Sequence, residues 1–290
     1  MAWFNKVLVF FICSSCVFSQ DDLESFLDPI TETTNVINTF KSTRIINNHS
    51  VEMFDTKQLD FRISHRFGLL NTGAYELYGL DQAKIRIGVE YGLIKNMMIG
   101  MGRSSYQKTY DGYIKYALIQ QTKGQKHIPF SCVYLSNISI NSDRKGYANY
   151  PIIGRMSFSN QLLIASKINT ELSIQIMPTW VHWNMVQFDS DPNDIILFGL
   201  GVRYLITKSL SINAEYLYRI NESDYNKDYY HNSFSIGVDI ETGGHVFQLH
   251  LSNSMPMHES GFMTRTQSDW SDGGFGGVHF GFNISREFNL

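Results

Sequence analysis

The sequence predicts an all-β protein, a closed antiparallel transmembrane β-barrel of about 12 strands with a short N-terminal helix. Three observations predict it. From Leu59 onward apolar and polar residues alternate with period 2, short and long connections take turns between the alternating runs, and 14% of residues are aromatic while only 18% are charged. A β-strand points successive side chains to opposite faces, so this pattern gives each strand one greasy and one polar face.

Taken from the N-terminus, residues 1–20 read as a cleaved signal peptide: Lys6 precedes an apolar run from residue 7 to 18 that ends in Ser19 and Gln20. The run is too short for a spanning helix, which needs about 20 residues. Lipoprotein cleavage before Cys16 is disfavoured, because Cys13, Ser14 and Ser15 precede it. Residues 21–41 do not alternate. Leu23, Phe26, Leu27 and Ile30 sit at helical spacing and predict a short periplasmic segment ahead of the barrel, which is placed over 42–290. Residues 43–54 are read as an extra strand or an extended lead-in, without a choice between them.

The strands follow at 58–68, 83–93, 97–104, 110–120, 129–140, 156–166, 171–183, 195–206, 209–220, 232–241, 245–254 and 276–288. The first sets Leu59, Phe61 and Ile63 against Asp60, Arg62 and Ser64, and the last sets Val278, Phe280 and Phe282 against His279, Gly281 and Asn283. Short connections at 94–96, 167–170, 207–208 and 242–244 contrast with long ones at 69–82, 141–155, 184–194, 221–231 and 255–275. That asymmetry is the one between periplasmic turns and extracellular loops. An even strand number returns both ends of the barrel to the periplasmic side. A soluble sandwich also alternates, but strands of about 10 residues are long for it and suit a tilted membrane strand. Tyr204, Tyr218, Trp180, Trp183 and Phe288 fall at strand ends, as interface girdles do.

Composition limits function. A formal net charge of −3 gives no basic surface for nucleic acid. After signal cleavage only Cys132 remains, which leaves no intrachain disulfide and no cysteine zinc cage.

Several strings carry a resemblance: Ile63-Ser64-His65-Arg66-Phe67-Gly68, Thr43-Arg44-Ile45-Ile46-Asn47, and Glu241-Thr242-Gly243-Gly244-His245-Val246-Phe247-Gln248-Leu249 with Ser252-Asn253-Ser254. Over residues 39 to 290 the chain resembles a Bacteroidota family of β-barrel proteins classed as a domain of unknown function. The resemblance implies an outer-membrane location in a Gram-negative bacterium and supplies no functional residues.

The inward parity collects Asp60, Arg62, Arg66, Lys84, Arg86, Glu90, Asp111, Lys115, Arg203, Glu215, Arg219 and Asp239. These charges either line a narrow aqueous pore, steering small solutes, or pair with one another and fill the lumen. His245, His250 and His279 do not make a metal site at this spacing, since His245 and His250 lie an odd number of residues apart on one strand. No metal or other cofactor is expected. His250-Leu251-Ser252-Asn253 resembles the His-x-Ser-Asn string of outer-membrane lipid A deacylases, which implies His250 and Ser252 as the catalytic pair of an alternative acyl hydrolase acting on lipid. The Gly-rich 271–277 stretch has no helix behind it and is a loop, not a phosphate cradle. The expectation is a non-enzymatic outer-membrane barrel: a narrow pore or structural barrel with a charged lumen, in contact with membrane lipid and lipopolysaccharide and passing small solutes. A scaffold that binds protein partners through loops 141–155 and 255–275 is the other alternative, with those partners unspecified.

Overall fold

The computed structural model is described over residues 32–144, 149–221, 229–242, 245–272 and 276–290. The signal peptide and the predicted helical residues Leu23 to Ile30 lie outside these. Residues 32–41 contain the two-residue strand Thr34–Asn35, paired with Thr122–Lys123, and no helix.

Twelve further strands close one antiparallel barrel in simple chain order. They are β1 (Gln58–Leu69), β2 (Lys84–Ile94), β3 (Met97–Ser104), β4 (Tyr110–Ile119), β5 (Ser131–Ile140) and β6 (Met156–Lys167). The second half comprises β7 (Leu172–Trp183), β8 (Asp194–Thr207), β9 (Leu210–Arg219), β10 (Ser233–Thr242), β11 (His245–Ser252) and β12 (His279–Asn289). Closure pairs β12 with β1, from Asn289 opposite Gln58 to His279 opposite Leu69. The barrel sheet has no free edge, which is the condition for a sheet to sit in hydrocarbon without unpaired backbone groups.

The alternation explains the walls. Asp60, Arg62, Ser64 and Arg66 on β1 are buried inside, while Phe61 faces outward with Ile87, Met101, Ile114 and Phe198 on neighbouring strands. The interior is therefore polar and the exterior apolar, the inverse of a water-soluble protein. The turn between β2 and β3 is tight because Asn96 adopts φ 65°, a left-handed conformation that asparagine tolerates. Tyr204, Tyr218, Trp180 and Phe288 are exposed on the outer face as expected. Trp183 is not: it is buried at the inner face. Residues 180 and 183 have opposite parity on one strand, so only one of them can face lipid.

The candidate functional site: a lumen closed by two inserts

Two segments fill the barrel. The first comes from the N-terminal side, where residues 39–52 enter from the rim at which β1 begins. Its centre is a hairpin: Ser50 N–H donates to Thr43 O (2.9 Å), Ile45 N–H donates to Asn48 O (2.8 Å), and Arg44 bridges to His49. A hairpin tip leaves N–H groups without ladder partners, and burial makes each of them costly. Glu215 on β9 meets that need. Its carboxylate accepts from the backbone N–H groups of Ile46 (3.3 Å), Asn47 (2.9 Å) and Asn48 (3.0 Å).

The tip carbonyls are served from strands on either side of β9. Gln248 on β11 donates to Ile45 O (2.9 Å), Asn283 on β12 to Ile46 O (3.1 Å), and Gln175 on β7 to His49 O (2.7 Å). Asn47 is held at both ends of its amide, accepting from Arg66 Nη2 (2.6 Å) and donating to Ser235 Oγ (2.9 Å). Arg62 donates to Ser42 and Thr43 hydroxyls, Thr43 donates to Glu90 (2.5 Å), and Lys115 donates to Glu52 O (2.7 Å). The insert also makes apolar contacts. Phe40, Ile45, Ile46 and Val51 pack on Met98, Leu135, Leu163 and Met177, which point inward.

The second insert descends from the opposite rim, in the loop between β11 and β12. It carries one short helix, α1 (Glu259–Thr264), every residue of which is buried. Phe262 and Met263 pack on Val181, Trp183, Leu197 and Leu217, while Trp183 Nε1 donates to Thr264 Oγ1 (3.0 Å). Ser260 hydrogen-bonds Ser157 (2.7 Å). Much of the 255–275 loop is thus packed inside the barrel, not presented to a partner.

The inserts meet at Glu259. One of its oxygens takes Arg44 Nη2 at 2.7 Å and His49 Nε2 at 3.0 Å, and the other accepts from Asn137 Nδ2 (3.0 Å). Burial pushes the Glu259 carboxyl up, but the charge of Arg44, the hydrogen bond from His49 and the charge of Arg86 outweigh it and hold the group well below the usual carboxylate range. His49, buried beside Arg44, is lowered to about 3.

Of the charges predicted on the inner face, all but Lys84 are buried there; Lys84 lies half-buried at the start of β2. Arg86 pairs with Asp111, Arg62 lies 3.5 Å from Asp60, Arg203 donates to Ser211 (3.3 Å), and Asp239 accepts from Gln248 (3.0 Å). Arg219 donates to the backbone of Tyr230. The predicted charges thus bond to one another, to the inserts and to nearby backbone. Sequence reasoning missed Arg44, His49 and Glu259. The string Thr43-Arg44-Ile45-Ile46-Asn47 was the one signal, and it proves to be the insert's first strand and tip. The other strings converge on it, through Arg66 and Gln248.

The hydrolase alternative finds no support here. His250 Nε2 lies 3.0 Å from Arg66 Nη2, which, as a donor only, occupies the ring's lone pair. Ser252 Oγ accepts from Ser235 Oγ (2.8 Å) and from Ser254 N–H (3.1 Å), and both His250 and Ser252 are buried inside the barrel, away from any acyl chain. Among the described residues no group of three His, Cys, Asp or Glu side chains is arranged to hold a metal.

A closed barrel with an apolar exterior, a charged interior and two internal inserts defines a membrane-bound β-barrel protein. The chain belongs to the membrane bound beta barrel domain family (DUF5777), whose pattern matches residues 40–288. That span takes in the N-terminal insert from Phe40 and the strands up to the next-to-last residue of β12. Similar solved structures include a KdgM porin at 9% identity and TM-score 0.48, covering 80% of this chain and 99% of that one. The outer membrane protein Omp33 of Acinetobacter baumannii is 9% identical at TM-score 0.42, covering 80% of this chain and 98% of that one. No curated protein matches the chain.

Proposed function

We propose that the protein is an outer-membrane barrel that works as a gated pore for small solutes, closed at rest by its N-terminal insert. One observation carries this reading. The wall behind the insert tip is charged, with Arg62, Arg66, Glu90 and Glu215 bonding to the insert rather than to a permanent apolar filling. If the insert withdraws, that wall is wettable, and water replaces the lost hydrogen bonds at little cost. The apolar seat at Met98, Leu135, Leu163 and Met177 favours a second reading, a structural barrel that stays filled.

Single-channel conductance of the purified full chain in a planar bilayer separates the two. The pore reading expects a quiet wild-type barrel and discrete openings in Glu215→Ala, with ion selectivity shifted when Arg62→Ala is added. A heat-modifiable Glu215→Ala barrel that never conducts establishes the structural reading instead.

A further inference from the structure

The outer surface carries a groove that the lumen reading does not use. On the lipid-facing parity, register aligns Val89, Met101, Gly112 and Ile138 across β2 to β5, and in the next row, toward the rim with the long loops, Ile87, Arg103, Tyr110 and Ile140. Gly112 interrupts its row. A Cβ built there meets only Gly100 O, at 3.8 Å, so the glycine leaves a notch between Met101 and Ile138. The notch opens a groove of about 470 Å³ with almost wholly apolar walls.

Its upper end is charged. Arg103 is exposed, its guanidinium lies 5.4 Å from the Tyr110 ring centroid, and it makes no ion pair among the described residues. An arginine on the lipid face of a barrel is expensive unless it reaches a headgroup. Lys108 and Arg144 stand exposed on the adjoining loops, which are tied together by Ser142 Oγ donating to Lys108 O (2.5 Å). Asp143 is the acidic residue among them.

We infer that this groove is a binding site for an anionic, phosphate-bearing lipid of the leaflet on the long-loop side, with one acyl chain in the notch over Gly112 and the phosphate on Arg103. The chemistry matches at both ends: apolar walls bury methylenes, and a planar guanidinium donates two parallel hydrogen bonds to phosphate. Tyr110 stacks on the guanidinium and holds it at the interface.

The test is native mass spectrometry of the full chain released from micelles containing phosphatidylglycerol or phosphatidylcholine with the same acyl chains, for wild type, Arg103→Gln, Gly112→Leu and Arg286→Gln. Arg286 is another exposed arginine beside an aromatic ring, Phe288, at the opposite end of the barrel. The site predicts that wild type retains phosphatidylglycerol about tenfold more than phosphatidylcholine. Arg103→Gln should abolish that preference, Gly112→Leu should reduce retention of both lipids, and Arg286→Gln should change nothing. Retention unaffected by Gly112→Leu, no preference in wild type, or an equal loss in Arg286→Gln would each overturn the inference. Heat-modifiable migration of every variant confirms that the barrels compared are folded.

Discussion

Arg44 and Glu259, 215 residues apart in sequence, meet at 2.7 Å inside the barrel and join the insert that enters from one rim to the insert that descends from the other. Both inserts lie inside the wall, one from each side of this contact. Their joint is an ion pair with both partners at most 4% exposed, so each charge is the other's nearest compensation.

Removing one side of the pair should be costly. Arg44→Ala leaves the buried Glu259 hydrogen-bonded only to His49 and Asn137, and should lower stability by about 3–5 kcal/mol. Glu259→Gln keeps the shape and should cost less. Urea unfolding in detergent, followed by loss of the heat-modifiable band, measures both, and the double variant should fall short of the sum because the residues act as one unit.

Acid should loosen the inserts. In a released insert His49 titrates near 6.5, whereas burial first and Arg44 second lower it to about 3 in place, with Lys115 opposing and Glu259 favouring its charge. Between those values the released form binds more protons, so the seated form loses stability as pH falls below 6.5, by up to about 2 kcal/mol at pH 5. His258, lowered to about 4 by burial, acts in the same direction. The depressed Glu259 carboxyl stabilises the seated form above its ordinary value of 4.5 and loses that contribution as pH falls further. Hydrogen exchange of residues 43–50 should therefore be faster at pH 5 than at pH 7 after correction for intrinsic rates, and His49→Gln should flatten that difference.

Glu215→Ala orphans three amides, each worth about 1–3 kcal/mol when buried without a partner. The Ile46, Asn47 and Asn48 N–H groups should exchange at least about tenfold faster, while amides of β1 and β12 keep their protection. Unchanged exchange at the tip would mean that Gln248, Asn283 and Arg66 suffice to hold it.

Gly100 lies directly under the Tyr113 ring, with no room for a Cβ. Tyr113 in turn packs edge-on against His49, ring centroids 4.4 Å apart. Gly100→Val should displace the tyrosine, cost about 1–3 kcal/mol in the same urea assay, and perturb the His49 ring resonance in NMR spectra.

The strands were legible because lipid demands a strict outward period, and the first, expected at 58–68, runs Gln58–Leu69. The inward charges were legible for the same reason. The inserts left no such trace. Residues 43–50 are held mainly through their own backbone N–H and C=O groups, which any sequence possesses, and Glu259 lies in a loop whose burial has no period. Trp183 was misplaced because an aromatic residue at a strand end signals a rim without saying which side of the wall it is on.

The order of the chain adds a constraint on assembly. The insert is made before any barrel strand, yet its tip is held by Glu215, Gln248 and Asn283, which belong to β9, β11 and β12, in the closing third of the barrel. Contacts of such long sequence separation form late. A barrel whose final strand has not yet paired with its first lacks Asn283 at the tip, so lodging of the N-terminal hairpin marks the completion of biogenesis, and a stalled intermediate would leave that hairpin accessible to proteases on the side where β1 begins.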